Sequence, residues 1–359
     1  MDLDRYHRQM LLPGIGPDGQ RQLAMGSAII VGCGALGCTG ADLLARAGVG
    51  RITIVDRDIV EVTNLQRQSL FTEADASSHS PKAAVAAQRL AAVNSTIEIN
   101  AKITDLNADN AETILAASAP PGTPTVILDG TDNFETRYLL NDLAVKTETP
   151  LVYAGVVATT AMAMSVIPAN ADADAPCLRC VFRDPPPPGS QPTCDTAGVL
   201  GPVAAIVASY QSVEAIKFLV ARADLVQRSL LSFDPWHGTR TRMDLTKAKD
   251  PDCPCCGHHR FEFLNREGGQ AAVSLCGTGA VQISPARKTT LDLDKLAARL
   301  AALGNFRRTD LLVYGTLTEE RDDNNQPVAM TIFEDGRAQI RGVSSPERAR
   351  AIYDRTVGG

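Results

Sequence analysis

The stretch SAIIVGCGALGCTGADLLARAG, residues 27–48, decides the fold class of this chain. SAIIVGC is a short apolar run typical of a buried strand, and ALGCTGADLLARAG has the periodicity of a helix. Between them, GCGALG (residues 32–37) fits the pattern G-x-G-x-x-G. Glycines at these positions permit a tight turn and let backbone N–H groups approach phosphate oxygens at a helix N-terminus. The stretch therefore predicts a nucleotide-binding loop that contains Gly32, Gly34, Ala35 and Gly37.

The alternation of short apolar runs and helical patterns continues to about residue 168. Further strands are predicted in RITIVD, IEINAKI, TVILDG and PLVYAGVV, and further helices in PKAAVAAQRLAAVN, NADNAETILAA and NFETRYLLNDLAVKTE. Alternating strands and helices form a mostly parallel sheet with right-handed crossovers and helices on both faces. We therefore expect an α/β fold with a Rossmann-like sheet, whose ligands bind at the carboxyl ends of the strands.

Residues 169–193 have no periodicity and are rich in Pro, Asp and Cys, which predicts a long crossing loop. A long buried helix in GPVAAIVASYQSVEAIKFLVARA and returning strands in RSLLSFDPWHGTRTRMDL follow this loop. A second boundary lies near residues 267–270. We expect a zinc-containing nucleotide-binding domain over 1–267 and a small α+β module over 268–359, with a hairpin at the Asp-Gly of FEDGR and a helix in SSPERARAIYDR.

The bulk composition limits the function classes. Hydrophobic residues make up 44% of the chain and charged residues 21%, as in soluble globular proteins. A formal net charge of −6 argues against a general nucleic-acid binder. No apolar stretch reaches roughly 18 uninterrupted residues, the length that spans a bilayer. We expect a cytoplasmic protein with neither a nucleic-acid nor a membrane partner, in which paired cysteines bind metal or perform chemistry.

Polar residues follow the predicted strands around the glycine loop. Asp56 ends the second strand, where a carboxylate can accept a hydrogen bond from a ribose hydroxyl, as in NAD-dependent oxidoreductases. Arginine and lysine beside the loop favour a polyphosphate, whereas a nicotinamide needs an apolar surface. Asp132, at the carboxyl end of a strand, is suited to Mg²⁺. Together these residues favour ATP chemistry, and the full set is Asp56, Asn64, Arg67, Gln68, Lys82, Asp132 and Asn133.

Two C-x-x-C pairs stand in irregular segments, at Cys177 and Cys180 and at Cys253 and Cys256. Four thiolates suit a tetrahedral structural Zn²⁺, which would attach the crossing loop to the end of the first domain. A redox C-x-x-C is the alternative. Cys255 could compete as a ligand, but only Cys256 has the two-residue spacing. His258 and His259 adjoin the second pair, and we expect both to be exposed to solvent.

The remaining cysteines divide into two groups. Cys33 and Cys38 flank the glycine loop and Cys276 lies in the C-terminal module, and for all three we expect buried packing. Cys194 has no partner at C-x-x-C spacing and precedes a helix, whose N-terminal dipole lowers the pKa of a thiol, although Asp195 opposes this. Cys194 is therefore either a reactive thiol or an anchor of the loop.

RYHRQ (5–9), GCGALG, GVGRITIVD (48–56), NLQRQ, SPK, GTDN and CDTAGVLGP occur in one order within about residues 4–260. This ordered set resembles the ThiF/MoeB/HesA family, bacterial relatives of ubiquitin-activating enzymes. The resemblance implies a Rossmann-like homodimer that adenylates the C-terminal Gly-Gly carboxylate of a small ubiquitin-like sulfur carrier, using MgATP and releasing pyrophosphate. It also implies a role in thiamin, molybdopterin or thiolation pathways, with a sulfurtransferase or a cysteine desulfurase as a further partner.

Five positions receive a nucleotide role from the resemblance, motif by motif. Asp56 would contact the ribose, and Asn64, Arg67 and Lys82 would contact the phosphates. Asp132 would serve Mg²⁺ and the phosphates as well. The family also has a zinc site at positions that match the two C-x-x-C pairs.

Three further positions are notable in the comparison of motifs. Arg8 resembles the arginine that the family extends across the dimer into the neighbouring site. Cys194 stands at the position of the reactive cysteine, which some members link covalently to the carrier. Ala35 replaces a glycine that is common in the family, but it falls at a variable position of the fingerprint, so we expect nucleotide binding to persist.

The C-terminal module lacks a cysteine-containing loop of the sulfurtransferase type that many family members carry at this end. The chain ends Thr-Val-Gly-Gly, like the carriers that the family activates. We interpret this as a chance ending, with self-adenylation as the alternative hypothesis. Two rival functions also stay open on the residues alone: an NAD-dependent oxidoreductase, and a non-catalytic zinc-containing binding protein that retains the nucleotide pocket.

Overall fold

Two compact units divide the chain in this computed structural model, Met1–Glu267 and Gly268–Gly359. The structure describes residues 3–187, 194–266, 272–275, 280–285, 289–322 and 325–358. Cys276, for which we expect buried packing, and the final Gly359 lie outside these ranges.

The first unit alternates strands and helices along most of its length. Its strands are β1 (Ser27–Val31), β2 (Arg51–Val55), β3 (Glu98–Lys102), β4 (Thr125–Asp129), β5 (Leu151–Val157), β6 (Thr160–Val166), β7 (Ser229–Asp234) and β8 (Thr239–Asp244). Its helices are α1 (His7–Met10), α2 (Gly16–Met25), α3 (Ala35–Ala47), α4 (Glu73–Ser77), α5 (Lys82–Val93), α6 (Ala111–Ser118), α7 (Phe134–Lys146), α8 (Leu178–Val181), α9 (Cys194–Ala197) and α10 (Gly201–Leu219). Among the described residues, none of the helices is both long and apolar enough to cross a membrane.

The strands of this unit form a single sheet in the order β3-β2-β1-β4-β5-β6-β7-β8. Strands β1 to β5 pair in parallel, and β6 to β8 extend the sheet as antiparallel neighbours. The chain places β2 and β3 on one side of β1 and β4 and β5 on the other, so the strand order reverses between β1 and β4. The predicted Rossmann-like α/β fold is confirmed, and ligands of such sheets bind at this switch point.

Helices cover both faces of the sheet because side chains of a strand alternate in direction. In β1, Ala28 and Ile30 belong to a core that includes residues of α3, α5 and α10. Ile29 and Val31 belong to a second core that includes residues of α6 and α7. All five residues of β1 are buried, as is typical of a parallel strand covered on both faces.

The elements absent from the pattern-based prediction include the strand β6 and the helix α2. The strand β6 forms a hairpin with β5 through a turn at Ala158, whose φ is +54°. The helix α2 begins with Gly and Pro and contains a second Gly, so its intrinsic propensity is low. Tertiary contacts stabilise it instead: Leu23 is fully buried, and Gln20 donates from Nε2 to the carbonyl of Ala47 at 3.0 Å.

The N-terminal segment packs against the end of α3. Gly48 ends this helix in the left-handed region with φ +83°, and a Cβ there would lie 2.5 Å from Cζ of Tyr6. The Nδ2 of Asn94 donates to the Tyr6 hydroxyl and to the carbonyl of Ala45, both at 2.8 Å. Position 48 therefore requires glycine for two reasons: the left-handed backbone conformation and the close approach of the Tyr6 ring.

The second unit is an antiparallel sheet with helices. Its strands are β9 (Ala272–Leu275), β10 (Ala280–Ile283), β11 (Gly304–Arg308), β12 (Leu312–Arg321), β13 (Pro327–Phe333) and β14 (Ala338–Arg341), and its helices are α11 (Leu293–Leu300) and α12 (Pro346–Thr356). The sheet order is β11-β12-β13-β14-β10-β9. The predicted hairpin turns at Gly336, with φ +83°, and Ser345 caps the predicted helix by accepting the N–H of Arg348 at 3.2 Å.

Replacement of Gly48 by alanine tests the packing of the N-terminal segment. Gly122 also has a positive φ, but a new Cβ there would have no atom within 4 Å. We therefore expect Gly122→Ala to lower the free energy of unfolding only by the cost of the left-handed backbone conformation, about 1–2 kcal/mol. Gly48→Ala adds the collision with Tyr6 and should destabilise the chain by clearly more. Urea unfolding of both variants measures the difference, and equal losses would show that Tyr6 does not constrain Gly48.

Candidate functional site

A cavity of about 790 Å³ opens at the carboxyl ends of the parallel strands. Its wall includes Gly32 after β1, Asp56 after β2, Asp105 after β3 and Thr131 after β4. Residues that lie far apart in the sequence meet here because the carboxyl ends of parallel strands share one edge of the sheet. The cavity therefore lies where the fold predicts a ligand site.

Most of the residues predicted to contact a nucleotide line this cavity. The glycine loop supplies the end beside α3, and the loops after β2 and β4 supply the polar side chains. The predicted residues in the cavity wall are Gly32, Gly34, Ala35, Asp56, Arg67, Gln68, Lys82, Asp132 and Asn133.

Two of the predicted contact residues, Gly37 and Asn64, do not line the cavity. A Cβ on Gly37 would collide with the carbonyl oxygen of Gly32, so this glycine allows α3 to begin directly behind the loop. Asn64 is buried, and its Oδ1 accepts the N–H of Glu61 at 3.1 Å in a capping box of the turn that precedes Arg67. Both residues thus shape the loops from behind the wall.

The carboxylate of Asp56 connects two loops of the site. Its Oδ2 accepts the N–H of Cys33 in the glycine loop at 2.6 Å, and its Oδ1 accepts the N–H of Asp58 at 2.7 Å. Burial raises the pKa of Asp56 to about 6, although the nearby ammonium of Lys82 opposes this rise. At neutral pH the group is therefore mostly ionised and can still accept a further hydrogen bond from a ligand hydroxyl.

Two polar side chains on the loop after β2 face the cavity with capacity for a ligand. Gln68 is 4% exposed, and its Oε1 has no hydrogen-bond partner in the part of the chain that the structure describes. Buried polar atoms are almost always hydrogen-bonded in native proteins, so this atom indicates a place for a polar ligand. Arg67 is partly exposed and donates from Nη1 to the carbonyl of Thr63 at 3.0 Å, and a guanidinium with this one bond among the described residues has further donors to offer a ligand.

The ion pairs of cavity-wall residues that escape the sequence analysis include those of Arg57 and Arg137. Arg57 donates from Nη1 to Asp105 at 2.9 Å. Arg137 donates from Nε to the fully buried Asp129 at 3.1 Å and stacks over Tyr153, 4.9 Å from the ring centroid. The sequence feature that could have indicated Arg137 is its position one turn into the helix that follows the GTDN motif, since a residue there faces the same strand ends as the motif. The sequence does not show which strand would supply its partner.

Arg8 and Cys194 have different relations to the cavity. Arg8 is exposed on α1 and does not line the cavity of its own chain. Cys194 begins α9, and its side chain lies outside what the structure describes. Ala197, at the end of α9, lines the cavity, and the following Gly198 accepts the N–H of Ala158 at 2.8 Å. The segment that begins at Cys194 is thus anchored at the cavity.

The four cysteines of the C-x-x-C pairs come together in one cluster. Their sulfur atoms all lie within 4.8 Å of one another, with 3.6 Å between Cys177 and Cys253 and 3.4 Å between Cys180 and Cys256. Tetrahedral zinc with Zn–S bonds of about 2.3 Å requires sulfurs about 3.8 Å apart, so the donor set fits such an ion. Cys255 is outside this set, and its Sγ accepts from Nδ2 of Asn141 at 3.3 Å.

The other cysteine and histidine predictions concern residues around these sites. His258 and His259 are exposed, as expected. Cys33 and Cys38 are fully buried, as expected, with 3.8 Å between their sulfurs, and Cys38 donates to the carbonyl of Cys33 at 3.3 Å. Hydrogen bonding to Cys38 and burial raise the pKa of the Cys33 thiol well above its usual value, which suits a packing role.

The cysteine cluster and the cavity share a wall. Leu178 and Phe182, in the segment that follows Cys177, line the cavity. Helix α7 holds this segment by two hydrogen bonds: the Tyr138 hydroxyl donates to the carbonyl of Phe182 at 2.9 Å, and Oδ1 of Asn141 accepts the N–H of Leu178 at 2.8 Å. An ion at the cluster would therefore stabilise a part of the cavity wall.

A comparison of the sequence with models of protein families shows to which family the chain belongs. The model of the ThiF family matches residues 6–255, which contain the glycine loop, the cavity and three of the four clustered cysteines, and the match ends one residue before Cys256. The chain belongs to the ThiF family. The resemblance of its ordered motifs is confirmed by this match.

Two relatives extend the comparison. The sulfur carrier protein ThiS adenylyltransferase of Bacillus subtilis (strain 168) is 38% identical over 354 residues, which cover 99% of this chain and 99% of that protein. The sulfur carrier protein adenylyltransferase of Thermus thermophilus is 40% identical over 257 residues, 71% of this chain and 91% of that protein. The match to the Bacillus protein includes the second unit, so this ThiF chain and that relative share the C-terminal module.

Solved structures support the fold. The crystal structure of E. coli MccB has a TM-score of 0.59 and covers 72% of this chain and 75% of that chain, at 22% sequence identity. At this identity the likeness concerns architecture alone. It agrees with the Rossmann-like sheet of the first unit.

Proposed function

We propose that this ThiF protein adenylates the C-terminal Gly-Gly carboxylate of a small ubiquitin-like sulfur carrier, with ATP as the second substrate and pyrophosphate as a product. The observation that supports it most is the convergence of the glycine loop, Asp56, Arg67, Lys82 and Asp132 on one cavity. The near full-length relative is named for ThiS, so we propose a ThiS-like carrier of a thiamin pathway over a molybdopterin or thiolation carrier.

The cavity suits attack of a carboxylate on the α-phosphorus of ATP. A C-terminal carboxylate is ionised at neutral pH, so the reaction requires no general base. The new bond joins a carboxylate oxygen to the α-phosphorus, and the bond from that phosphorus to pyrophosphate breaks. Arg67 and Lys82 would stabilise the negative charge that develops on the phosphate oxygens, while Asp56 and Gln68 would orient the ribose end.

The charges of the cavity wall favour a divalent cation with the nucleotide. Among the described residues that line the cavity, carboxylates outnumber cationic side chains. The carboxylates are those of Asp56, Asp58, Asp105, Asp132 and Asp184, and the cations are Arg57, Arg67, Lys82 and Arg137. A polyphosphate would be repelled there without further positive charge. We infer that Asp132, with Asn133 beside it, holds Mg²⁺, which would neutralise phosphate charge when bound.

We also propose a homodimer in which Arg8 completes the neighbouring site. Tyr6 is buried against Gly48 and fixes the RYHRQ segment, whereas Arg8 two residues later is exposed. An exposed arginine on an anchored segment can extend to a second chain without a change of fold. A carrier, rather than a nucleic acid or a membrane, is the further macromolecular partner that we propose.

Substitution of the cavity residues tests the adenylation. Arg67→Ala and Asp132→Ala should each lower carrier-dependent ATP–pyrophosphate exchange by about 10²- to 10³-fold, because each removes a group that acts on the charged phosphates or their metal. Arg21→Ala, which removes an exposed arginine paired with Asp18, is the matched control and should keep wild-type exchange. Absence of exchange by the wild-type protein with the ThiS-like carrier of its own organism would contradict the proposal.

We infer that Cys194 acts after adenylation. A persulfide from a sulfurtransferase or cysteine desulfurase would attack the acyl carbon of the adenylate and displace AMP, which gives an acyl disulfide between the carrier and the sulfur donor. The Cys194 thiolate would then attack the donor's sulfur, so that the S–S bond breaks, the carrier leaves as its thiocarboxylate, and the new disulfide between Cys194 and the donor is reduced by a cellular dithiol. Cys194→Ala should therefore keep pyrophosphate exchange and lose formation of the carrier thiocarboxylate, as measured by mass spectrometry of the carrier. Loss of exchange in a folded Cys194→Ala variant would show that this division of steps is wrong.

We further propose that Zn²⁺ occupies the four-cysteine cluster as a structural ion. Cys253→Ser should abolish the expected content of about one zinc per chain, because it removes one of four ligands. Cys255→Ser is the matched control two residues away, and it should retain the metal, since Cys255 is buried outside the donor set. Elemental analysis of the purified variants decides the matter, and equal zinc loss in both would place Cys255 among the ligands.

A further inference from the structure

Asp58 lies in the loop after β2 and connects two groups of the cavity. Its backbone N–H donates to Oδ1 of Asp56 at 2.7 Å. Its carbonyl accepts the N–H of Lys82 at 2.9 Å, and its Oδ2 accepts from Nζ of Lys82 at 3.2 Å. Asp58 therefore links the carboxylate assigned to the ribose with the ammonium assigned to the phosphates, and it holds the lysine at both its backbone and its side chain.

We propose that Asp58 is a positioning residue that keeps the ammonium of Lys82 charged and directed into the cavity before ATP arrives. The inference rests on the proposed adenylation, in which Lys82 contacts the phosphates. It assigns to Asp58 a role that acts through Lys82 rather than through the substrate.

The local position of Lys82 explains why such a partner is needed. Lys82 is the first residue of α5 and is only 7% exposed. The N-terminus of a helix carries partial positive charge, which repels a cation, and burial removes the hydration of the ammonium. Both effects favour either the neutral amine or a rotation of the side chain toward solvent. The ion pair with Asp58 opposes both.

Four titratable groups act on this ammonium. Burial lowers the pKa of Lys82, but the charges of Asp58 and Asp56, the hydrogen bond to Asp58 and the charge of Asp132 together raise it above its usual value. Asp56 is itself engaged with the glycine loop. The fourth group is the Cys33 thiol, whose own pKa is raised, so it is neutral at physiological pH. Asp58 is thus the carboxylate that both contacts the lysine and balances its charge.

The test compares ATP binding by the full chain across pH in the wild type and in Asp58→Asn. Asparagine keeps the size and the backbone hydrogen bonds of Asp58 but removes its charge. We expect the dissociation constant of ATP at pH 7.5 to rise about tenfold, as befits loss of a charge-assisted contact. The alkaline pH at which binding is lost should also fall by about one unit or more, because Lys82 would release its proton more readily.

Two further variants complete the experiment. Asp58→Glu restores the carboxylate. It should therefore raise the alkaline limit, meaning the alkaline pH at which ATP binding is lost, back toward the wild-type value, even if it restores the affinity for ATP only in part. Asp42→Asn is the matched control, since Asp42 is ion-paired with Arg46 at 2.9 Å on α3 but does not line the cavity, and it should bind ATP like the wild type. Thermal unfolding of each variant confirms that it is folded.

Specific outcomes would overturn the inference. An unchanged alkaline limit in Asp58→Asn, with weaker binding at every pH, would show that Asp58 only shapes the loop. An increased requirement for Mg²⁺ with an unchanged limit would assign Asp58 to the metal instead. Because ATP binding is measured without the carrier, a wild type that binds ATP but shows no pyrophosphate exchange would defeat the proposed function and leave this test of Asp58 intact.

Discussion

The candidate site depends on a backbone contact between the loop after β1 and the loop after β4. A Cβ on Gly32 would lie 2.7 Å from the carbonyl oxygen of Gly130, and a Cβ on Gly130 would meet the carbonyl oxygen of Gly32 at 2.5 Å. Glycine on both sides allows the two loops to touch. This contact brings the GTDN motif against the glycine loop at the switch point of the sheet. Without it, Asp132 and the glycine loop would not border one cavity.

The charges around that cavity form a linked network. Asp56 joins the glycine loop to the loop after β2, and Asp58 continues the link to Lys82 at the start of α5. On the other side, Asp129 anchors Arg137 beneath the loop after β4. Each buried cation has a carboxylate partner because an isolated charge in this environment is costly. The cations that the proposed function assigns to ATP, Arg67 and Lys82, belong to this network or lie beside it.

The cysteine cluster lies behind the same wall. Asn141 on α7 contacts Cys255 and the backbone of Leu178, while Tyr138, one turn earlier, holds Phe182. Helix α7 begins at the GTDN motif, so a single helix connects the cavity with the cluster. A metal ion there would secure the crossing segment, which returns to the cavity at Ala197. The segment that bears Cys194 is thus tied to the site at both of its ends.

The sequence by itself determined the Rossmann-like sheet, the four clustered cysteines and nine residues of the cavity wall, because each follows from short-range signals: glycine spacing, polar residues after apolar runs, and C-x-x-C pairs. Only the tertiary structure decided which polar residues meet. Asn64 and Gly37 belong to the motifs but lie behind the wall, since one caps a turn and the other packs against Gly32. Arg137 and Asp58 line the cavity, although no motif singles them out. Their partners come from other strands and helices, and local sequence patterns do not encode which distant side chains the sheet brings within hydrogen-bonding distance.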